Sequence, residues 1–271
     1  MALGAEVSMW QGWGCGNLLK MLYLCNLQSL FLVAGGSENR TAEMAAGAQK
    51  RVIKRENMNW IAIVATLLGA YLLGSIPSAV WIGKIFYGVD VRTQGSGNAG
   101  TTNVLRVLGA KAALPVFAID ILKGYAAVSL VGLSGLESES PAWLYLKMAL
   151  CAAVVVGHMY PIFAGFRGGK GVATLVGCMF AFSTGGILLA LATFLVIVSA
   201  THYVSVGSMV GGLLLPFYSA LCGDGDWRLM IFMACVSLLL FYTHRTNIGR
   251  LLHGTENKTY LFGRSKGEGR K

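Results

Sequence analysis

Long apolar stretches alternate with short polar ones along most of this chain, and the alternation becomes regular from Met58 onward. Residues 60–86 form the first strong apolar run, longer than the roughly 20 residues that cross bilayer hydrocarbon as a helix. Gly74, Ser75 and Pro77 interrupt it, which predicts a helix that loosens, kinks or packs closely there. A second run, 112–133, carries Asp120 and Lys123 within it. A third begins at Pro141 and Ala142 and continues to Pro161. Residues 172–182 make a short run, and 185–200 a longer one after Ser183 and Thr184. Runs 204–221 and 227–242 complete the set. The pattern predicts an all-α fold: a polytopic integral membrane helical bundle with about seven transmembrane helices, the fourth of them short. Five or six full crossings fit the same pattern.

Composition agrees with this reading. The chain has 271 residues, 55% hydrophobic and only 13% charged, with a mean hydropathy of +0.62; soluble domains carry about 25% charged residues. The net charge of +10 does not point to nucleic acid, because no continuous basic helix and no sheet of interleaved aromatic and basic residues is present. The six cysteines have no CxxC spacing, and the four from Cys151 onward lie in or beside apolar runs. Neither a disulfide framework nor a metal site is expected.

The first 57 residues read differently. Residues 18–34 are moderately apolar but interrupted by Lys20, Asn26, Gln28 and Ser29, and 35–56 are polar, ending in Lys50, Arg51, Lys54 and Arg55. This stretch is expected to be a non-essential extension, with a mis-chosen start, a cloning remnant and a weak anchor as its possible origins. The chain then divides into the extension 1–57, a membrane domain 58–262 and a basic tail 263–271.

Charge orients the runs. With residue 60 outside, every Lys and Arg after Asn57 falls inside except Lys123, Lys147 and Arg228, while Glu137, Glu139, Asp224 and Asp226 fall outside. That asymmetry is the one membrane insertion imposes. The basic cluster before Met58 runs against it.

Three polar stretches end on the inner face. The first, GSGNAGTTNVLR at 95–106, supplies hydroxyls and amides at Ser96, Asn98, Thr101, Thr102 and Asn103, then Arg106. Its glycines permit tight turns, and a helix starting near Thr102 would offer N–H groups to an anion. An ordinary capped Gly/Ser/Asn loop is the alternative. The second, GHMYPIFAGFRGGKG at 157–171, sets His158 before Arg167, Gly168, Gly169 and Lys170. Glycine-rich backbone with a guanidinium and an ammonium suits a phosphate at a membrane surface; a positive turn that only fixes topology is the alternative. The spacing is neither the GxxxxGK[ST] nucleotide loop nor GxGxxG, so ATP and nicotinamide cofactors are disfavoured. The third, THRTNIGRLLHGTENK at 243–258, places His244, Asn247 and Arg250 at three-residue offsets on one helix face. Glu256 can orient Arg250, His253 or a substrate hydroxyl, or pair with Lys258. Asp120 and Lys123 must pair or face a polar cavity, because lone charges in hydrocarbon are costly. They fit the floor of an enzyme pocket, or the translocation path of a transporter for a small organic phosphate. The lack of an internal repeat and the three dissimilar loops favour the enzyme.

The motifs GSGNAGTTN, GHMYPIFAGFRGGKG and HRTNIGRLLHGTE, in this order, resemble those of the bacterial acyl-phosphate:glycerol-3-phosphate acyltransferase family. The resemblance runs from about Met58 to Phe262. Thr101 stands where that family more usually has alanine. The resemblance implies a compact seven-helix enzyme of the bacterial inner (plasma) membrane, with active-site loops and C-terminus cytoplasmic. It implies transfer of an acyl group from acyl phosphate to the 1-hydroxyl of sn-glycerol 3-phosphate, giving lysophosphatidic acid and inorganic phosphate, an early step of phospholipid synthesis. No cofactor and no metal are implied. The partners would be the two substrates and membrane lipid, with room for a transient contact with the enzyme that supplies acyl phosphate. Carried over residue by residue, the resemblance makes Ser96, Arg106, Lys170, His244 and Asn247 catalytic. Asn98, Asn103, Lys123, His158, Arg167, Gly168, Gly169, Arg250 and Glu256 would bind substrate. Ser96 is expected to hydrogen-bond rather than to carry the acyl group. The hydroxyl proton passes either to His244 or to a substrate phosphate oxygen, and the resemblance favours the second.

Overall fold

The computed structural model describes residues 60–222 and 225–259. The extension 1–57 and the tail 263–271 lie outside the described residues. All regular structure among the described residues is helical. Helices α1 (60–74) and α2 (Ser78–Tyr87) belong to one apolar segment, Trp60–Tyr87, broken at 75–77 where Pro77 withholds an N–H. A short half-polar helix α3 (Thr101–Leu108) leads into α4 (Ala110–Ser129), which runs on through a 3₁₀ turn, Leu130–Leu133. Helix α5 (Pro141–Met159) starts with proline in its first turn and a cap from Ser140, whose Oγ accepts the Trp143 N–H at 3.2 Å.

Next come α6 (Val172–Phe182) and α7 (Thr184–Thr201). Helices α8 (Val204–Leu213) and α9 (Leu215–Cys222) meet at a bend of 48°, and α10 (Trp227–Thr243) and α11 (Arg245–Leu252) at one of 57°.

Among the described residues four segments, Trp60–Tyr87, Ala110–Leu133, Pro141–Ala164 and Thr184–Thr201, are long and apolar enough to cross a membrane, and there are up to six if each bent pair is one span. The protein is therefore an all-α polytopic bundle, with four to six candidate spans among the described residues. The expected fourth element, α6, has 11 residues. It rises about 16 Å, roughly half the thickness of bilayer hydrocarbon. Large apolar side chains such as Leu68, Ile85, Leu122, Leu133, Val196 and Leu238 stand exposed on the exterior, as lipid contact requires.

Two pairs of glycines bring backbones into contact. A Cβ on Gly124 of α4 would stand 2.1 Å from Thr174 O, and one on Gly177 of α6 would stand 2.0 Å from Ile121 O. The same exchange joins α1 and α5: a Cβ on Gly74 would stand 2.1 Å from Val154 O, and one on Gly157 would stand 2.3 Å from Tyr71 O. Small residues at such crossings let dispersion contacts replace the hydrophobic drive that lipid cannot supply. The far end of α6 is fixed separately, by Lys147 Nζ donating to Ala181 O at 2.5 Å while it lies 4.4 Å over the Trp143 ring. The main core centres on Val128, Leu150, Val154 and Cys178. A smaller one, with Ala79, Val91, Val104 and Val116, underlies α2, α3 and the inner part of α4.

The α4–α6 contact predicts that Gly177→Ala destabilises the protein by about 1–3 kcal/mol through overpacking. Thermal unfolding in detergent measures this, and an unchanged midpoint would contradict the close approach.

Candidate active site

The first polar stretch folds around one buried amide. Asn103, in the first turn of α3, donates from Nδ2 to Val91 O (2.8 Å) and Gln94 O (3.1 Å), and its Oδ1 accepts the Ser96 N–H (2.8 Å). Gly95 has φ +61°, and a Cβ there would come within 2.4 Å of Asn103 Oδ1, so the turn needs glycine on both counts. This closure presents Ser96, Asn98 and Arg106 to a cavity of about 350 Å³. Arg92, forked onto Asp90, donates from Nη1 to Ala164 O at 2.8 Å and ties the first stretch to the second.

The second stretch turns back against the end of α5. The Gly168 N–H donates to Met159 O (3.1 Å) and the Gly169 N–H to His158 O (3.2 Å). A Cβ on Gly168 would stand 2.0 Å from His158 O, and one on Gly169 2.4 Å from His158 Nε2. These two N–H groups are thus committed to the helix end rather than offered to an anion. Lys170 reaches the cavity; Arg167 is exposed and does not line it.

The third stretch supplies the opposite wall. His244 is buried at the bend between α10 and α11, with Nδ1 2.8 Å from Leu240 O. That carbonyl requires the proton on Nδ1, which leaves Nε2 of the neutral ring as an acceptor. Asn247 Oδ1 accepts from Lys170 Nζ. Asn247 Nδ2 donates to Glu256 Oε1 at 2.6 Å, Ser205 Oγ donates to the same oxygen at 2.9 Å, and Arg250 Nε donates to Glu256 Oε2 at 2.7 Å. Of the side chains open to Glu256 in the sequence, Arg250 is the one it meets.

Asp120 lies deeper along the cavity wall. Its Oδ1 is 2.8 Å from Lys123 Nζ and accepts from Ser78 Oγ at 2.8 Å. Lys123 also donates to Ile76 O at 3.0 Å, a carbonyl at the α1–α2 break that accepts the Ser78 N–H as well (3.1 Å); it does not line the cavity itself. His158 lines the cavity, and its Nδ1 is 3.1 Å from Thr174 Oγ1.

Ser96, Asn98, Asn103, Arg106, His158, Lys170, His244, Asn247, Arg250 and Glu256 therefore meet at one cavity, and Lys123, Arg167, Gly168 and Gly169 stay off it. Sequence reasoning missed Ser205 and Thr174, hydroxyls within helical runs whose only signal was a polar residue at the same end of the bundle as the loops.

The electrostatics favour an anion. Arg106, Lys170 and Arg250 share the polar end with one carboxylate, Glu256. Burial pushes the Lys170 ammonium down to about 8; Glu256 opposes this, and Arg250 and Arg106 reinforce it. Burial also lowers Arg106. Burial raises Glu256, but hydrogen bonds from Asn247, Arg250 and Ser205 outweigh it and hold the carboxyl below its ordinary value. A second cavity of about 100 Å³, almost wholly apolar, shares Phe117, Val172, Ala173, Phe194 and Ser208 with the first.

Comparison with known proteins adds a family to this geometry. The family model described as "Glycerol-3-phosphate acyltransferase" matches residues 64–254. A glycerol-3-phosphate acyltransferase of Listeria monocytogenes serotype 4a (strain HCC23) is 44% identical over 198 residues, covering 73% of this chain and 97% of the relative. One from Chlorobaculum tepidum is 40% identical over 230 residues, covering 75% and 99%. Among solved structures, the glycerol 3-phosphate form of PlsY (YgiH), an integral membrane glycerol 3-phosphate acyltransferase, superposes with a TM-score of 0.67 at 36% identity, covering 74% of this chain and 99% of that one. Its lysophosphatidic acid form gives 0.64, also at 36% identity.

A phosphate-bearing ligand favours the charged form of Lys170, which is present below about pH 8 and lost as pH rises through that value. Affinity for such a ligand is expected to fall above pH 8 in the native protein, while Lys170→Arg retains it to higher pH. Titration calorimetry from pH 6 to 10 tests this, and parallel pH profiles would contradict it.

Proposed function

The chain belongs to the glycerol-3-phosphate acyltransferase family, and we propose that its polar cavity holds the phosphate heads of the substrates while the adjoining apolar cavity receives the acyl chain. The enzyme transfers an acyl group from acyl phosphate to the 1-hydroxyl of sn-glycerol 3-phosphate, giving lysophosphatidic acid and inorganic phosphate. The observation that carries the placement is the shared wall, where Phe117, Val172, Ala173, Phe194 and Ser208 border both a cationic cavity and an apolar one. A greasy donor and a water-soluble anion can meet there.

In this reading Arg106, Lys170 and Arg250 receive phosphate oxygens, and Ser96 and Asn98 add neutral hydrogen bonds. Asn247 and Glu256 hold Lys170 and Arg250 in place. The 1-hydroxyl oxygen bonds to the carbonyl carbon, the bond from that carbon to the phosphate oxygen breaks, and the hydroxyl proton passes to a phosphate oxygen. His244 Nε2 orients the hydroxyl before transfer. The acyl phosphate is already activated, so the protein's work is alignment and stabilisation of the developing phosphate charge. Arg167, outside the cavity, serves as an entry charge for anions.

The positive-inside rule supports a cytoplasmic position for the three polar stretches and the C-terminus, in a bacterial inner membrane. Counting α6 as a short partner of the six candidate spans gives seven helices in the membrane. The family match begins at residue 64, which supports treating the segment 1–57 as dispensable for catalysis.

Phosphate release from synthetic acyl phosphate, strictly dependent on glycerol 3-phosphate, is the expected assay result. Release that ignores glycerol 3-phosphate, or vesicle uptake without an acylated product, would defeat the reading. Lys170→Ala and Arg106→Ala should each lower kcat/KM by about 100-fold, the loss of one charge-assisted contact to phosphate. Normal turnover by both folded variants would remove them from the site.

A further inference from the structure

Asp120, one of the residues lining the cavity, has a carboxylate oxygen that the proposed reaction leaves without a task. Asp120 is only 1% exposed. Its Oδ1 is crowded, with Lys123 Nζ and Ser78 Oγ at 2.8 Å and His158 Nδ1 at 3.7 Å. Its Oδ2 has no hydrogen-bond partner among the described residues. Three buried side-chain oxygens among the described residues lack a partner, and two of them, Asp120 Oδ2 and Thr101 Oγ1, belong to residues lining this one cavity. Buried polar atoms are normally satisfied, and an unmatched charged acceptor is among the costliest exceptions. Their common placement points to a polar ligand that satisfies them.

The surroundings decide what kind of donor fits. An anion would be repelled by the carboxylate, and Lys123 already supplies the compensating cation. A neutral hydroxyl remains. Asp120 adjoins His158, and Gly169 lies against the far nitrogen of that ring, directly before Lys170. The anion-binding and hydroxyl-accepting parts of the cavity are thus joined through one imidazole and one peptide unit.

Resting on the acyltransferase reading, we propose that Asp120 Oδ2 accepts a hydrogen bond from the 2-hydroxyl of glycerol 3-phosphate and so selects an acceptor with a hydroxyl at that carbon. The 1-hydroxyl loses its proton as the ester forms, whereas the 2-hydroxyl keeps its own and needs a standing acceptor. Bound in this way, the glycerol backbone is held at two points, the phosphate and the central carbon. That fixes the direction in which the 1-hydroxyl faces the acyl carbonyl. An acceptor with a carbonyl at the central carbon would set one acceptor oxygen against another.

The test uses the full-length enzyme with synthetic acyl phosphate and three acceptors: glycerol 3-phosphate, 3-hydroxypropyl phosphate, which lacks only the 2-hydroxyl, and dihydroxyacetone phosphate. The expected kcat/KM falls about 10- to 100-fold for 3-hydroxypropyl phosphate and further for dihydroxyacetone phosphate. Asp120→Asn, whose amide can donate to a carbonyl, should narrow the gap between glycerol 3-phosphate and dihydroxyacetone phosphate at least tenfold. This is a ratio within one preparation, so partial folding does not disturb it, and the wild-type comparison decides separately whether the 2-hydroxyl is read at all. Equal kcat/KM for glycerol 3-phosphate and 3-hydroxypropyl phosphate overturns the inference while leaving the acyltransferase reading intact. A wild-type ratio retained by the folded variant overturns the assignment to Asp120. Failure to acylate glycerol 3-phosphate at all overturns the parent reading and this inference with it.

Discussion

One carboxylate keeps the polar end of this bundle in register. Glu256 accepts from Ser205 on α8 and from Asn247 and Arg250 on α11, and through Asn247 it is linked to Lys170 ahead of α6. Its side chain is only 6% exposed, so the pairing with Arg250 is screened less than a surface ion pair. Without it, Arg106, Lys170 and Arg250 would face one another with no compensation; two like charges 4 Å apart repel by about 4 kcal/mol at an effective dielectric constant near 20. A second carboxylate among them would halve the net positive charge of these groups. A single one lets the cations assemble and leaves an excess of positive charge for a substrate to match. Burial is the main reason the Lys170 ammonium is lowered, and Arg250 and Arg106 add to it against the pull of Glu256.

The second constraint is the glycine contact between α4 and α6. With Gly124 against Thr174 O and Gly177 against Ile121 O, the short helix is fixed to the helix that carries Asp120. The preceding loop folds back onto the end of α5, so Lys170 is held beside His158 rather than at a loop tip. A helix of 11 residues suits this purpose. It lets a charged loop start within the bundle, next to apolar walls that an acyl chain can occupy. Packing that looks purely structural therefore sets the distance between the polar cavity and the apolar one beside it.

Much of this was legible before any coordinates. The apolar runs, the break after Gly74, the short fourth helix and the three-residue offsets of His244, Asn247 and Arg250 followed from periodicity and local breakers. The partners did not. Ser205 and Glu256 are 51 residues apart, Lys170 and Asn247 77, and Ser78 and Asp120 42. Spacing shows which residues share a helix face, but not which other face they meet. For the same reason Arg167 and Lys170, so alike in the sequence, part company: the tight turn at Gly168 and Gly169 sends one outward and the other into the cavity. The bend at Leu214 sits between Gly212 and Pro216, breakers inside a run that reads as continuously apolar, whereas the bend at His244 was hidden because no proline or glycine adjoins it.

The central claim is that helix ends distant in sequence converge on one phosphate. Its most direct test is a solid-state NMR distance between ³¹P of bound glycerol 3-phosphate and the ¹⁵N-labelled Lys170 ammonium in the full-length protein, with labelled arginine side chains measured in parallel. Convergence predicts a phosphorus–nitrogen distance of about 4 Å to Lys170 and to at least one guanidinium, as charge-assisted hydrogen bonds require. Saturated binding with no measurable coupling to Lys170 would contradict it.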